Sequence, residues 1–312
     1  MNHDLSMIST VASAREMLSA VAADRIVAFL QSAQTVEGGF CDRAGRPDLY
    51  YTVFGLSGLV ALRKRVPHRK EALAFLDGCR LGPARSFVDL VSLVRCACLV
   101  GLAGRTEAAD PARLQPVLEQ LQRYRSRDGG YSHERPHAET GTLYAAFLAE
   151  QAGRDAGVEL EGIPAPVARI ETFRTPDGAY SNHAGTRHGT ASVTAAAAIL
   201  LARRGQSSVA QAALAALEAM RWPSGGYGAA AAAPAPDLLS TATALYACRR
   251  CGRSVSHRVR AATAAFVEGL WSDEGGFRGS DADAAPDVEY TFYGLLALGA
   301  LVALRKKEEH VV

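Results

Sequence analysis

Two kinds of hydrophobic pattern alternate along the chain. Residues 11–33 place Met17, Val21, Ile26, Val27, Phe29 and Leu30 among Asp24, Arg25 and Gln31, which gives a helix one polar face. The next run, Leu49 to Leu62, is apolar nearly all round through Val53, Phe54, Leu56, Leu59 and Val60. A helix without a polar face is buried on every side. Amphipathic segments recur at 70–79, 112–126, 165–174, 207–221 and 256–271; almost wholly apolar ones recur at 89–102, 140–152, 189–203, 237–250 and 287–304. No stretch carries the period-two alternation of a half-buried strand. The pattern predicts an all-α chain of six amphipathic helices alternating with six buried ones, in two concentric layers.

A glycine–aromatic triplet punctuates this alternation. It reads Gly38-Gly39-Phe40, Gly129-Gly130-Tyr131, Gly178-Ala179-Tyr180, Gly225-Gly226-Tyr227 and Gly275-Gly276-Phe277. From the middle residue of each triplet the steps are 91, 49, 47 and 50 residues, so one repeat lies hidden in the first step. Leu81-Gly82-Pro83, leading to Asp89 and the run Leu90 to Leu102, supplies it. Six repeats of about 50 residues then account for residues 1–312 as one domain, because each unit buries its apolar face only against its neighbours. The glycines are expected to end the amphipathic helices in a left-handed conformation, and the aromatic to fill the gap between layers. By chain direction every buried helix starts at the same end. Asp48, Asp89, Glu139, His188, Asp237 and Asp287 are thereby predicted to mark those starts around one mouth.

Composition narrows the function classes. Hydrophobic residues make up 48% and charged residues 21%, an ordinary soluble balance, and a net charge of +2 gives no footprint for nucleic acid or an anionic membrane. Glycine, serine, threonine and arginine interrupt the apolar runs, so no integral membrane segment is expected. Met1-Asn2-His3-Asp4 does not open a signal peptide, and Glu309-His310-Val311-Val312 is no lipidation box. The six cysteines form neither a disulfide framework nor a zinc ribbon, and buried thiols in a reducing cytoplasm are the expectation.

The repeats resemble the prenyltransferase β-subunit and terpene (squalene-type) cyclase superfamily, built as an α/α toroid of six inner and six outer helices. The resemblance is carried by Gly38-Gly39-Phe40 through Asp48-Leu49-Tyr50-Tyr51-Thr52, and by Gly275-Gly276-Phe277 through Asp287-Val288-Glu289-Tyr290-Thr291-Phe292. Gln34-x-x-x-Gly38-x-Phe40 also looks like the glutamine–aromatic repeat of triterpene cyclases. Aligned by repeat, the zinc ligands of protein prenyltransferases fall on Asp237, Leu239 and Tyr290, and leucine cannot coordinate zinc. The loop Gly228 to Ala233 lacks the cations expected for a prenyl diphosphate, while His188-Gly189 looks like the family's diphosphate-side histidine. The cyclase Asp-x-Asp-Asp motif is approached only by Asp281-Ala282-Asp283-Ala284. The resemblance therefore implies a terpene cyclase-like isomerase or lyase rather than a protein prenyltransferase.

Candidate chemistry centres on acids and aromatics. Asp287 and Glu289 put two carboxylates at one helix start, where like-charge crowding can make one of them an acid and the positive helix end opposes it; Asp is equally a good N-cap. Ring closure is expected to set Asp287, Glu289 and Tyr290 opposite Asp48, Tyr50 and Tyr51, giving Asp287, Glu289, Tyr290, Asp48 and Tyr51 as candidate catalytic residues. Tyr50, Phe54, Glu139, Tyr144, His188, Asp237 and Tyr293 are the candidate substrate contacts, since aromatic faces suit isoprenoid chains and carbocations. Arg43 and Arg46 could hold an anionic head group. No cofactor is expected; a metal, if one is bound, would draw on His133, His137, His183 and His188. Three readings stay open: a metal-independent, acid-assisted cyclase or isomerase of a small apolar isoprenoid or polyene; a non-catalytic isoprenoid- or partner-binding subunit; and a metal- or carboxylate-dependent hydrolase or lyase. Elemental analysis of purified protein is expected to find zinc well below one per chain, and a stoichiometric value would overturn the argument from Leu239 and Tyr290.

Overall fold

The computed structural model describes residues 6–82, 85–104, 111–163 and 165–309; Pro83, residues 1–4 and residues 310–312 lie outside the described residues. Thirteen α-helices follow in order among the described residues. They are α1 (Ser6–Ser13), α2 (Ala20–Ser32), α3 (Leu49–Ala61), α4 (Arg69–Leu81), α5 (Phe87–Gly104), α6 (Pro111–Gln122) and α7 (Leu143–Ala156), then α8 (Val167–Glu171), α9 (Ala191–Arg203), α10 (Ser207–Glu218), α11 (Leu238–Arg250), α12 (His257–Gly269) and α13 (Val288–Glu309). The odd members from α3 onward are the apolar core helices and the even members the amphipathic cover. Two boundaries depart from the expectation for physical reasons. The first amphipathic segment splits because Ser19 accepts the Ala22 N–H and starts a new helix at α2. Helix α8 is only five residues long and follows Pro166.

The glycine triplets do not end the covering helices. Those helices stop at Ser32, Gln122, Glu171, Glu218 and Gly269, six or seven residues earlier. The triplet closes a hairpin instead. Thr35, Ser126, Thr175, Trp222 and Ser272 each donate N–H to the carbonyl of the triplet's middle residue at 2.8–2.9 Å. The first glycine is left-handed in all five, from φ +80° at Gly178 to +103° at Gly225. Space adds a second demand, because a Cβ on Gly38 would lie 2.1 Å from the Ala72 nitrogen on α4. As expected, the aromatic is buried in every case, Phe40, Tyr131, Tyr180, Tyr227 and Phe277 being at most 2% exposed. Each such ring contributes about 1.5–3 kcal/mol of apolar burial. Glycines in the core helices admit the rings: a Cβ on Gly55 would sit 2.0 Å from Phe40, and one on Gly294 2.6 Å from Phe277.

From the aromatic the chain runs to the next core helix. In two repeats it forms a minimal antiparallel ladder that no sequence periodicity could reveal: β1 (Phe40–Cys41) pairs β2 (Pro47–Asp48), and β3 (Tyr227–Gly228) pairs β4 (Pro236–Asp237). A buried threonine then locks the junction. The N–H of Phe40, Tyr180, Tyr227 and Phe277 is donated to the hydroxyl of Thr52, Thr194, Thr241 and Thr291 at 2.9–3.1 Å. Those hydroxyls in turn donate to the carbonyls of Asp48, Thr190, Asp237 and Asp287 at 2.5–2.7 Å.

The residues group into two compact units, Met1–Ile8 with Val27–Ala165 and Ser9–Ile26 with Pro166–Val312. In the first, α5 packs between α3 and α7 under α4 and α6; in the second, α11 packs between α9 and α13, with α8 against α9, α10 against α9 and α11, and α12 against α13. The window Val288–Arg305 of α13 is long and apolar enough to cross a membrane, and 72% of it is buried within the protein. Early residues complete the second unit. Thr10 approaches Gly299 so closely that a Cβ there would lie 1.8 Å from its carbonyl oxygen. The Arg25 guanidinium lies over Trp271, 5.8 Å from the ring centroid, and donates to the carbonyl of Asp273. Gly275 meets the Arg25 backbone as Gly38 meets Ala72, so the start of α2 stands where the cover of a further repeat would stand.

Replacing Thr241 by isosteric valine strands the buried Tyr227 N–H, which costs about 1–3 kcal/mol. Chemical denaturation is expected to show that loss, with Thr241→Ser keeping most of the stability; equal stability of the valine variant and wild type would contradict the role given to the hydroxyl.

Candidate active site

The core-helix starts are built by N-caps, and three of the six predicted residues hold that position. Asp48 accepts the Tyr51 N–H at 3.0 Å, Asp237 the Ser240 N–H at 2.7 Å, and Asp287 the Tyr290 N–H at 2.7 Å. Extended backbone at Asp48 and Asp237 delivers the carboxylate to the positive end of the helix. The other three stand elsewhere. Thr142 and Thr190 are the N-caps of α7 and α9, leaving Glu139 and His188 in the preceding loops. Glu139 is 67% exposed and ion-paired to Arg127 at 3.0 Å; His188 is 77% exposed and 3.4 Å from Asp177. Asp89 lies inside α5, where it and Ser86 exchange hydrogen bonds in a reciprocal capping box.

Where threonine takes the cap, an aspartate from the preceding hairpin secures the loop. Asp128 accepts from Gly130, Gly141 and the Ser126 hydroxyl; Asp177 accepts from Ala179, Gly189 and the Thr175 hydroxyl. Burial acts to raise the Asp177 carboxyl, but these hydrogen bonds and the one to His188 outweigh it and hold the pKa below the usual range. Neither aspartate stood out as a candidate in the sequence, although Ser126-x-Asp128 and Thr175-x-Asp177 share one spacing before Gly130 and Ala179.

In the second unit the starts of α11 and α13 are stitched together. Leu238 N–H donates to the Gly279 carbonyl at 2.8 Å, and the Tyr290 ring lies against Gly279, where a Cβ would be 2.3 Å away. Ala191 at the start of α9 is tied in the same way to the Ala229 carbonyl at 2.9 Å. Asp287 is 9% exposed and bridges to Phe277, while Glu289, Tyr290 and Tyr293 are half-buried on the first turns of α13. Phe292 is buried against Tyr293, with ring centroids 5.6 Å apart. Asp237 carries the perturbed carboxyl of this set. Burial pushes its pKa up, against the lowering effect of hydrogen bonds from the Ser240 N–H and hydroxyl and the Leu239 N–H. The sequence marks Asp287, Glu289 and Asp48 as candidate acids and gives Asp237 only a binding role; burial at one residue leaves no trace in spacing.

In the first unit an aromatic group follows Asp48. Tyr50 packs edge-on against Tyr51 at 5.9 Å and Phe54 at 4.9 Å. Tyr144 packs edge-on against His133 at 5.3 Å, and His133 Nδ1 lies 2.9 Å from the Thr142 hydroxyl, so that ring braces the start of α7. Asp42 holds Arg46 through two nitrogens, at 3.1 and 2.9 Å. His137 and His183 are exposed loop residues. Among the described residues no group of three or more His, Cys, Asp and Glu is placed to hold a metal ion. Burial pushes the thiols of Cys98 and Cys248 up to about 12 and that of Cys251 to about 11, so they stay protonated at neutral pH.

Comparison with known proteins gives the same architecture. The family described as prenyltransferase alpha-alpha toroid domain matches residues 5–79 and 194–310. No curated protein matches the chain. Protein geranylgeranyltransferase-I of Candida albicans, complexed with GGPP, is similar with a TM-score of 0.65 and 14% identity over 92% of this chain and 92% of that chain. A variant of the type II terpene cyclase MstE from Scytonema, in complex with geranylgeranyl dihydroxybenzoate, gives 0.60 and 15% over 95% and 99%. A UGL variant with the saccharide dGlcA-Glc-Rha-Glc gives 0.60 and 14% over 89% and 94%. At these identities the likeness is one of fold, the all-α, α/α toroid class that the repeats predicted.

The Asp237 carboxyl makes a pH prediction with a definite sign. A carboxyl whose folded pKa is raised adds stability that is full below its unfolded pKa and is lost as pH rises through the folded value. Asp237→Asn keeps a good N-cap and removes that titration. The melting-temperature difference, wild type minus Asp237→Asn, is expected to fall as pH rises from about 3.5 through the acid range; a difference independent of pH would assign Asp237 an ordinary carboxyl.

Proposed function

The chain belongs to the prenyltransferase alpha-alpha toroid domain family, and from that premise we propose that it is an isoprenoid- or polyene-handling enzyme that cyclises or isomerises its substrate by protonation. The single observation carrying this reading is Asp237, a carboxyl at a core-helix start whose burial pushes its pKa up, the direction a proton donor needs. Asp287 at the next core-helix start, with Glu289 two residues on, is the second candidate acid. The half-buried faces of Tyr290 and Tyr293 in that unit suit an apolar chain and the positive charge that alkene protonation creates. Support for the substrate class comes from the geranylgeranyl compounds held by the similar MstE and geranylgeranyltransferase-I structures. The reaction uses no metal in this proposal, since Leu239 and Tyr290 occupy the aligned zinc-ligand places.

A second reading has its own observation. Asp48, Asp237 and Asp287 each commit oxygen to a backbone N–H, as expected of a binding subunit whose acids only cap helices. A third, a hydrolase or lyase, is kept in view by the saccharide-bound neighbour. Purified protein incubated with farnesyl, geranylgeranyl and longer polyene substrates, with products read by mass spectrometry, separates them. Turnover is expected, with Asp237→Asn lowering the rate by roughly 10²–10⁴ and Asp89→Asn leaving it unchanged. Binding without turnover favours the subunit reading; neither binding nor turnover ends the isoprenoid assignment.

A further inference from the structure

The first unit contains a cavity of about 880 Å³ at the end of α3 away from the Asp48 cap. It is lined by the end of α3, the turn to α4, the start of α4 and, through Leu102 and Ala103, the end of α5. Arg63, Lys64, Arg65, Arg69 and Lys70 line it, five cations within eight consecutive residues, together with His68; Glu71 is the one acidic lining residue. Arg63, Lys64 and Arg65 follow the carbonyl end of α3 and complement it, but three features of Arg63, Arg69 and Lys70 are not explained by the fold.

The first is backbone strain. Helix α3 ends in a Schellman motif, with Lys64 N–H on Leu59 O at 2.9 Å and Arg63 N–H on Val60 O at 3.0 Å. The motif puts its next-to-last residue in the left-handed region, and Arg63 has φ +55°. At the corresponding ends of α7, α9 and α11 that residue is glycine: Gly157, Gly205 and Gly252, at φ +69°, +73° and +70°. Only the first of these four repeats keeps an arginine there, in a conformation that disfavours any side chain. The second is polarity. Arg69 and Lys70 open the 13-residue α4, at the positive end of its dipole, and His68 at the cap makes no side-chain capping bond. Arginines in the last turns of α9 and α11 complement the helix carbonyls; Arg69 and Lys70, opening α4, oppose the dipole. The third is an orphan donor. Arg69 Nη1 is buried without a hydrogen-bond partner among the described residues.

We infer that this cavity is an anion site for phosphate groups, carried by a small phosphorylated molecule or by a lipid head group. A phosphate supplies acceptors for Arg69 and for the open N–H groups at the start of α4, and its charge offsets the repulsion among Arg63, Arg65 and Lys70.

Titration calorimetry of the full chain with inorganic pyrophosphate at constant ionic strength, alongside sedimentation with phosphatidylglycerol or phosphatidylcholine vesicles, tests it. Saturable binding is expected to pyrophosphate, to the anionic vesicles only, or to both; the pattern identifies the free or the lipid source. Arg65→Gln combined with Arg69→Gln should weaken it at least tenfold. Arg63→Gly separates function from folding, because glycine relieves the left-handed residue: melting temperature without anion should hold or rise while anion affinity falls. Absence of binding to both probes overturns the inference, as does affinity unchanged in these variants, or binding of duplex DNA alone.

Discussion

A threonine hydroxyl buried under four of the five hairpins is the interaction on which the repeat depends. It accepts the N–H of the aromatic residue and donates to the carbonyl of the residue that precedes the core helix. Both groups belong to backbone with at most a two-residue ladder to pair it, and buried backbone of that kind is costly unless paired. One hydroxyl satisfies two such groups and fixes the distance between hairpin and helix. The loop between them is then free to vary, and it does: eight residues separate Phe40 from Asp48, and ten separate Phe277 from Asp287. In the third repeat, Thr142 caps the helix and donates its own N–H to the Tyr131 carbonyl at 2.7 Å.

The alternation of covering and core helices was legible because burial on one face or all faces leaves a periodic trace. The triplets were legible as punctuation, but their place was read one element too early, since a left-handed glycine ends a helix and closes a hairpin with the same φ. Reading charge as the mark of a helix start worked for Asp48, Asp237 and Asp287. It failed at Glu139 and His188, where an uncharged threonine takes the N-cap position a few residues later, Thr142 with a side-chain bond to the Ala145 N–H and Thr190 without one. Thr52, Thr194, Thr241 and Thr291 each stand four residues beyond the residue that ends the loop, so the relay was present in the sequence as spacing. The raised pKa of Asp237 was not, because it reflects how completely other segments cover one side chain.

The same carboxylates serve architecture and are offered here to chemistry, and the two demands pull in opposite directions. An N-cap favours the charged form through N–H groups and the helix dipole; a proton donor must resist ionisation. At Asp237 burial wins that contest, and at Asp177 hydrogen bonding wins it. The family match covers the loops of the three aspartate-capped repeats and omits 80–193, which holds both threonine-capped loops.

The contribution of the early residues to the second unit has a consequence for biosynthesis. Arg25 and its partner Asp273 are separated by 248 residues. At synthesis rates of about 5–20 residues per second, the start of α2 leaves the ribosome roughly 12–50 seconds before Trp271 and Gly275 exist to receive it. Through that interval its buried residues, Ile26 among them, have no partner in the second unit. The nascent chain thus carries an adhesive leading segment, and its vulnerability to aggregation or capture by chaperones is set by translation time rather than by the stability of the finished protein.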